Sequence, residues 1–334
     1  MKANTLKTAI RLIPVVAALQ LAHVAGAQEQ ASAVPGTLAL KLNAAKVRAD
    51  ATQNMMLGAA LAGSRIVAVG EHGVVLLSDD NGAHFRQAKG VPSDSTLTSV
   101  TFVDAKHGWA AGHWGVILKT DDGGETWALQ RSDTTVDQPV FSIAFRDAQH
   151  GWAVGLWSLL LSTDDGGHTW KRQTLDAGKG TGAGKSGLNL YAVFMGAQQD
   201  LYIAGEQGTV FKSADNGGSW QATQTGYKGT LWSGTVSADR VLYVGGLRGN
   251  LFASHDGGAT WQSMPSGAGD SITDLKSTPQ GVVGVALDGS VTQLKAGQSG
   301  FVARRLPGHD VLTALVVAPN GSTVLFSKDG VVAR

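Results

Sequence analysis

Residues 120–127, TDDGGETW, decide the fold because near-copies of them recur along the chain. Each copy has a hydroxyl residue, an Asp two positions later, a Gly two positions after that, and a closing aromatic residue. The other copies are 78–85 (SDDNGAHF), 163–170 (TDDGGHTW), 213–220 (SADNGGSW) and 254–261 (SHDGGATW). The closing aromatic residues are 42, 43, 50 and 41 residues apart, a period typical of four-stranded propeller blades.

The repeat unit is clearest over residues 97–131, where four short apolar segments are separated by turns rich in Gly and Asp. Such a pattern predicts a four-stranded antiparallel meander. One meander cannot bury both of its faces, so the copies must stack. The predicted blades are 55–88, 97–131, 140–175, 190–223, 231–263, 272–306 and a seventh from residue 311.

The seventh blade contains only three predicted strands before the chain stops at Arg334. Residues 37–42, TLALKL, alternate apolar and polar side chains like a half-buried strand. This segment is predicted to supply the missing strand and to pair the two ends of the chain. We therefore predict an all-β, seven-bladed β-propeller that forms one domain over residues 37–334.

The first residues have the pattern of an export signal. Lys2, Lys7 and Arg11 precede an apolar run over residues 12–25, which ends in the small residues 25–27. This pattern predicts a signal peptide over residues 1–27 and a polar linker over residues 28–36, and hence a periplasmic protein with no direct membrane insertion. The chain has no Cys, which excludes disulfides and thiolate metal sites.

Overall charge argues against a nucleic-acid partner. Without the three basic residues of the signal, the 27 Lys and Arg residues fall to 24, against 26 acidic residues. A protein with this balance has no excess positive charge for phosphates or anionic lipids. The His residues are spread along the chain without HxH or HExxH spacing, so we predict no metal site and no cofactor.

The repeated motif is interpreted as structural. Its Asp carboxylate is suited to accept backbone N–H groups that follow it, and its Gly can adopt the positive φ of a tight turn. The closing aromatic residue is expected to pack between adjacent sheets. We assign these structural roles to Asp80, Asp122, Trp127, Asp165, Trp170, Asp215, Trp220, Asp256 and Trp261.

The motif resembles the Asp box, or BNR repeat, of sialidases and other propellers. Residues 65–82, RIVAVGEHGVVLLSDDNG, and the DxxHGWAxG segments at Asp104 and Asp147 more specifically resemble the Ycf48-like family, in an exported proteobacterial branch. That resemblance implies a non-catalytic scaffold or assembly factor. It also implies a partner in an envelope or membrane protein complex, for example a transporter of the resistance-nodulation-division type, and we expect a monomer.

A sialidase-like glycoside hydrolase or glycan-binding protein is the alternative. Hydrolysis with retention needs two groups flanking the glycosidic bond, usually carboxylates about 5 Å apart. The chain has only four Glu, at Glu29, Glu71, Glu125 and Glu206. The sequence shows no Arg-Ile-Pro segment, and its basic residues are scattered, so we predict no catalytic residues.

The candidate binding surface is the end of the ring opposite the repeated motif. In a four-stranded meander the turn between strands two and three lies there, and Trp114 and Trp157 occupy this turn in adjacent blades. Two interpretations stay open: the indoles form an exposed protein contact, or they fold back and seal the channel. The candidate binding residues are Glu71, His72, His113, Trp114, Leu156, Trp157, Glu206 and Arg248.

Overall fold

The protein is a closed ring of seven antiparallel blades. The computed structural model describes residues 41–175, 187–196, 200–308 and 310–332. Within these residues, each sheet is a meander whose strands are neighbours both in sequence and in the sheet. The first strand of each blade lies beside the first strand of the next, and those of blades seven and one also meet. The predicted seven-bladed propeller is therefore confirmed.

The first four blades contain four strands each. Blade one has β1 (Met56–Ala62), β2 (Arg65–Gly70), β3 (Val75–Ser78) and β4 (Arg86–Gln87). Blade two has β5 (Leu97–Phe102), β6 (Gly108–Gly112), β7 (Ile117–Thr120) and β8 (Ala128–Arg131). Blade three has β9 (Val140–Phe145), β10 (Gly151–Gly155), β11 (Leu159–Thr163) and β12 (Lys171–Arg172). Blade four has β13 (Leu190–Met195), β14 (Leu201–Gly205), β15 (Thr209–Ser213) and β16 (Gln221–Gln224).

The remaining blades continue the pattern until the seventh. Blade five has β17 (Leu231–Val236), β18 (Leu242–Gly246), β19 (Asn250–Ser254) and β20 (Gln262–Pro265). Blade six has β21 (Ile272–Thr278), β22 (Gly281–Ala286), β23 (Ser290–Lys295) and β24 (Val302–Arg305). Blade seven has three strands among the described residues, β25 (Leu312–Val317), β26 (Thr323–Ser327) and β27 (Gly330–Val331).

Burial explains why the blades stack. The second strand of a blade is sandwiched between neighbouring sheets, and all five residues of β6, β10, β14 and β18 are buried. Strands that are covered on both faces need continuous small or apolar runs, which these segments provide. The core is consequently divided into clusters between adjacent blades, for example Trp109, Ile117, Val140 and Leu159 between blades two and three.

The predicted closing strand is wrong where it can be examined. Residues 37–40 lie outside the described residues, whereas Lys41 and Leu42 are described and belong to no strand. Leu42 packs against the apolar cluster between blades one and two. The Ala45 N–H donates to the Val91 carbonyl at 3.0 Å, which holds this segment away from blade seven.

Blades seven and one are joined by packing between buried apolar side chains. Met56, Ile66 and Leu76 of blade one form one buried cluster with Val316 and Phe326 of blade seven. A short 3₁₀ turn over Ala51–Gln53 lies against β27. The Thr313 hydroxyl also donates to the Met56 carbonyl across the junction. Among the described residues, burial of apolar surface therefore joins blades seven and one.

Two predictions about the first 36 residues concern a part of the chain that the structure does not describe. The proposed signal peptide, residues 1–27, and the linker, residues 28–36, lie outside the described residues. Across the residues that are described, no helix has the length and apolar character needed to cross a membrane.

Candidate interaction face

The ring has two faces with different chemistry. The connections between strands three and four carry the repeated motif, and we call this end the Asp face. The turns between strands two and three lie at the other end, together with the loops that lead to the next blade. We call this end the turn face.

Asp122 shows how the Asp face is built. The Thr120 hydroxyl donates to Asp122 Oδ1 at 2.8 Å and accepts the Gly124 N–H at 3.0 Å. Thr126 donates its N–H to Asp122 Oδ1 at 3.0 Å and its hydroxyl to Oδ2 at 2.6 Å. Gly124 has φ +90°, a conformation that side chains disfavour. The carboxylate therefore stabilises the turn by satisfying its donors.

The same bonds recur at Asp165, Asp215 and Asp256, and at Asp80 the His84 imidazole takes the place of the second hydroxyl. They lower the pKa of Asp215 to about 2, because Ser219 donates its hydroxyl and backbone N–H and the Ser213 hydroxyl also donates. Hydrogen bonds to the ionised form favour that form. These carboxylates are thus engaged in holding turns.

The closing Trp residues join neighbouring blades. Trp127, Trp170, Trp220 and Trp261 each pack in or against a cluster that includes residues of the preceding blade. The Trp220 indole donates to Gln173 of blade three at 3.2 Å, and the Trp261 indole donates to Thr223 of blade four at 3.2 Å. The motif therefore sets both the turn and the spacing between blades.

Five tight turns define the turn face. Each is a single 3₁₀ turn whose middle residue has φ between 54° and 57°. This left-handed conformation is uncommon for a residue other than Gly, and the surrounding structure must hold it in place. The middle residues are His72, Trp114, Trp157, Gln207 and Arg248.

The two turn Trp residues differ. Trp114 is half-buried against the cluster between blades one and two. Its N–H donates to Asp137 Oδ1 at 2.9 Å, and His113 Nδ1 lies 3.2 Å from the other carboxylate oxygen. Trp157 is 55% exposed, the most exposed aromatic side chain among the described large hydrophobic residues. Trp114 therefore packs against the core between two blades, and the exposed contact suits Trp157.

The Trp157 turn is connected to blade four. The Trp157 N–H donates to Asn189 Oδ1 at 2.8 Å. Asn189 in turn donates its N–H and its side-chain amide to the two carboxylate oxygens of Glu206, at 3.0 and 2.9 Å. Glu206 thus orients the loop that holds Trp157.

The other candidate residues lie on blades one, three and five. His72 and Arg248 are exposed, whereas Glu71 and Leu156 are half-buried. Glu125, by contrast, lies on the Asp face, where it pairs with Arg65 at 3.1 Å and with Arg86. The described glutamates therefore occupy blades one, two and four. The described ranges also contain no group of three His, Asp or Glu residues that could hold a metal ion.

An arc of aromatic residues at the channel was missed by sequence reasoning. Every first strand has a bulge after its first residue, so that one extra residue has no partner in the sheet. The equivalent residues are Leu57, Thr98, Phe141, Tyr191, Trp232, Thr273 and Thr313. The first six line a central cavity of about 300 Å³. Alignment of the blades against one another would have revealed this position.

Comparison with known proteins supports the family. The model of the family described as photosynthesis system II assembly factor YCF48 matches residues 87–177. A 39-residue segment is 51% identical to the chloroplastic photosystem II stability/assembly factor HCF136 of Guillardia theta, covering 11% of this chain and 10% of that protein. Residues 87–177 therefore resemble the Ycf48 family, and the ring as a whole has the β-propeller fold.

Solved structures support the propeller fold. YCF48 bound to D1 peptide is 16% identical with a TM-score of 0.67, over 88% of this chain and 97% of that one. YCF48 from Cyanidioschyzon merolae is 15% identical with a TM-score of 0.64, over 87% and 97%. A streptogramin B lyase structure is 12% identical with a TM-score of 0.69, over 87% and 96%. At such identities the likeness shows the fold alone, and function must come from the site.

Proposed function

We propose that this protein is a non-catalytic propeller that binds another polypeptide through its turn face and assists the assembly of a protein complex. The observation that carries the proposal is Trp157, whose large indole is exposed on a turn that is fixed by hydrogen bonds. A rigid exposed Trp is a typical energetic centre of a protein interface. The YCF48 structure with a D1 peptide supports a polypeptide as the kind of partner.

We also propose that the protein is exported to the periplasm, as a member of a proteobacterial branch of the family. The partner would then belong to an envelope complex, such as a transporter of the resistance-nodulation-division type. This part of the proposal rests on the basic and apolar pattern of residues 1–27 and on the family resemblance.

A glycan-acting role receives less support from the site. The half-buried Glu206 is engaged by Asn189, and Glu125 is engaged by two Arg residues on the opposite face. Retaining hydrolysis would need an acid and a nucleophile on either side of one bond. The scaffold function accounts for these carboxylates as positioning groups.

Affinity purification from the native host tests the function. The full chain carries a tag, and co-purified proteins are quantified for wild type, Trp157→Ala and the control His168→Ala, which alters the Asp face of the same blade. We expect Trp157→Ala to lower recovery of a specific partner at least about tenfold, as for an interface hot spot. Equal recovery of every protein by all three forms would contradict the proposal.

A further inference from the structure

The aromatic arc is concentrated on three consecutive blades. Phe141, Tyr191 and Trp232 occupy the bulge position in blades three, four and five, while the equivalent residues in blades two, six and seven are Thr. The three aromatic side chains are half-buried and line the central cavity. Phe141 and Tyr191 stack with ring centroids 5.1 Å apart and planes 3° from parallel. The arc therefore presents a fixed aromatic wall.

This wall lies on the turn face. The bulge is at the start of the first strand, where Val140 pairs with Gly155 and Leu190 pairs with Gly205. Gly155 and Gly205 lead directly into the turns that contain Trp157 and Glu206. The arc and the turns that contain Trp157 and Glu206 consequently lie at the same end of the ring.

A carboxylate adds negative charge to this wall. Asn189 donates its N–H and its side-chain amide to Glu206, whose carboxylate lies close enough to Tyr191 to act on its hydroxyl. Burial and the charge of Glu206 both raise the pKa of Tyr191. Among the described residues, Glu206 has no Lys, Arg or His partner within salt-bridge distance. Its two hydrogen bonds leave acceptor capacity, because a carboxylate can accept about four.

We propose that the channel mouth on blades three to five, formed by Phe141, Tyr191, Trp232, Trp157 and Glu206, binds an arginine side chain of the partner polypeptide. A guanidinium can stack on aromatic faces and donate two parallel hydrogen bonds to a carboxylate. Charge complementarity therefore favours a basic segment over an acidic or neutral one. The inference rests on the proposed function, since it names the chemistry of the segment that the turn face receives.

Peptide binding tests the subsite on the full chain. Fluorescence anisotropy measures the affinity for the labelled peptide GSGRRGSG and for its neutral match GSGQQGSG at physiological ionic strength. We expect the arginine peptide to bind at least about fivefold more tightly, as a stacked and paired guanidinium should. Equal affinities, or no binding of the arginine peptide, would overturn the subsite. Binding of a chito-oligosaccharide in its place would assign the mouth to glycans.

Variants separate a specific site from general acidity. Glu206→Gln and Tyr191→Leu should each weaken the arginine peptide about fivefold or more. Asp94→Asn removes the same charge from an exposed loop of the turn face near blades one and two and should leave the affinity unchanged. Similar losses in Asp94→Asn and Glu206→Gln would contradict the subsite. Thermal melting identifies any variant that loses its fold. If one of Glu206→Gln and Tyr191→Leu does so, the peptide affinity of the other tests the subsite.

The two proposals can fail separately. If partner recovery requires Trp157 but the arginine and glutamine peptides bind equally, the subsite is wrong and the scaffold function stands. If recovery is independent of Trp157, the assignment of the turn face is wrong, whatever the peptides do.

Discussion

Asp122 illustrates how one side chain can determine a local structure. Its two carboxylate oxygens accept one backbone N–H and two hydroxyl groups, and the Thr120 hydroxyl extends the network to Gly124. The adjacent Asp121 has the same charge but is 66% exposed, with its nearest cation 3.5 Å away. Position within the turn, and not acidity, therefore distinguishes the two residues.

Asp122→Ala should lower the free energy of unfolding by about 2 kcal/mol, because several donors lose a charged acceptor. Asp121→Ala should change it by less than about 0.5 kcal/mol, as expected for an exposed ion pair. Urea denaturation of the two variants at neutral pH measures this difference. Equal stabilities would show that the carboxylate does not hold the turn.

Acid should weaken the same turns. The pKa of Asp215 is about 2 in the folded protein and 3.8 as its ordinary value. A group with a lowered folded pKa contributes stability above its unfolded pKa and loses it as pH falls through the folded value. The stability difference between wild type and Asp215→Asn should therefore be constant above about pH 5 and shrink between about pH 4 and pH 2. A difference that grows on acidification would contradict this assignment.

At the scale of elements, the start of β5 depends on a close approach between backbones. The His113 N–H donates to the Thr96 carbonyl at 3.0 Å, which clamps the turn of blade two to the start of β5. A Cβ atom on Gly112 would lie only 2.0 Å from that carbonyl oxygen. Gly112 has an extended φ of −175°, so the constraint is steric contact and not backbone conformation.

Blade four offers a matched control, because a Cβ atom on Gly205 would lie 3.0 Å from the equivalent carbonyl of Asn189. We expect Gly112→Ala to destabilise the protein by about 2 kcal/mol more than Gly205→Ala, since overpacking forces the backbone to move. Chemical denaturation of both variants tests the ranking. The reverse order would mean that blade four is the more tightly clamped.

Sequence repetition predicted the elements better than it predicted the site. The limits of blade two, Leu97 and Arg131, agree with the structure because the motif recurs between strands three and four and so fixes the period of the repeat. The arc containing Tyr191 was missed, since a bulge is a pairing irregularity that has no local sequence signal. Trp114 and Trp157 differ in solvent exposure because of the loops around them, and a repeat pattern does not describe those loops.

At the scale of the whole molecule, the ring is closed by apolar packing. Leu42 packs near blade two and not in the seventh sheet, so the junction depends on residues such as Phe326. Phe326 is fully buried and meets the Phe85 ring edge-on at 5.9 Å. The junction resembles the other blade contacts in chemistry, although blade seven shows three strands among the described residues.

Phe326→Ala should cost about 3 to 5 kcal/mol of unfolding free energy, the range for removal of a buried Phe. Leu129→Ala, at an exposed site on an outer strand, should cost less than about 1 kcal/mol. Urea unfolding followed by fluorescence compares them. A cost below about 1 kcal/mol for Phe326→Ala would show that closure depends on other contacts.

The central claim is that the partner binds the turn face, and site-specific photocrosslinking in the native host tests it most directly. A photoreactive phenylalanine analogue replaces either Trp157 or His168, which lie at opposite ends of blade three. The account predicts a discrete crosslinked polypeptide from position 157 and none from position 168. A crosslinked partner from position 168 alone would place the interaction on the Asp face and contradict the account.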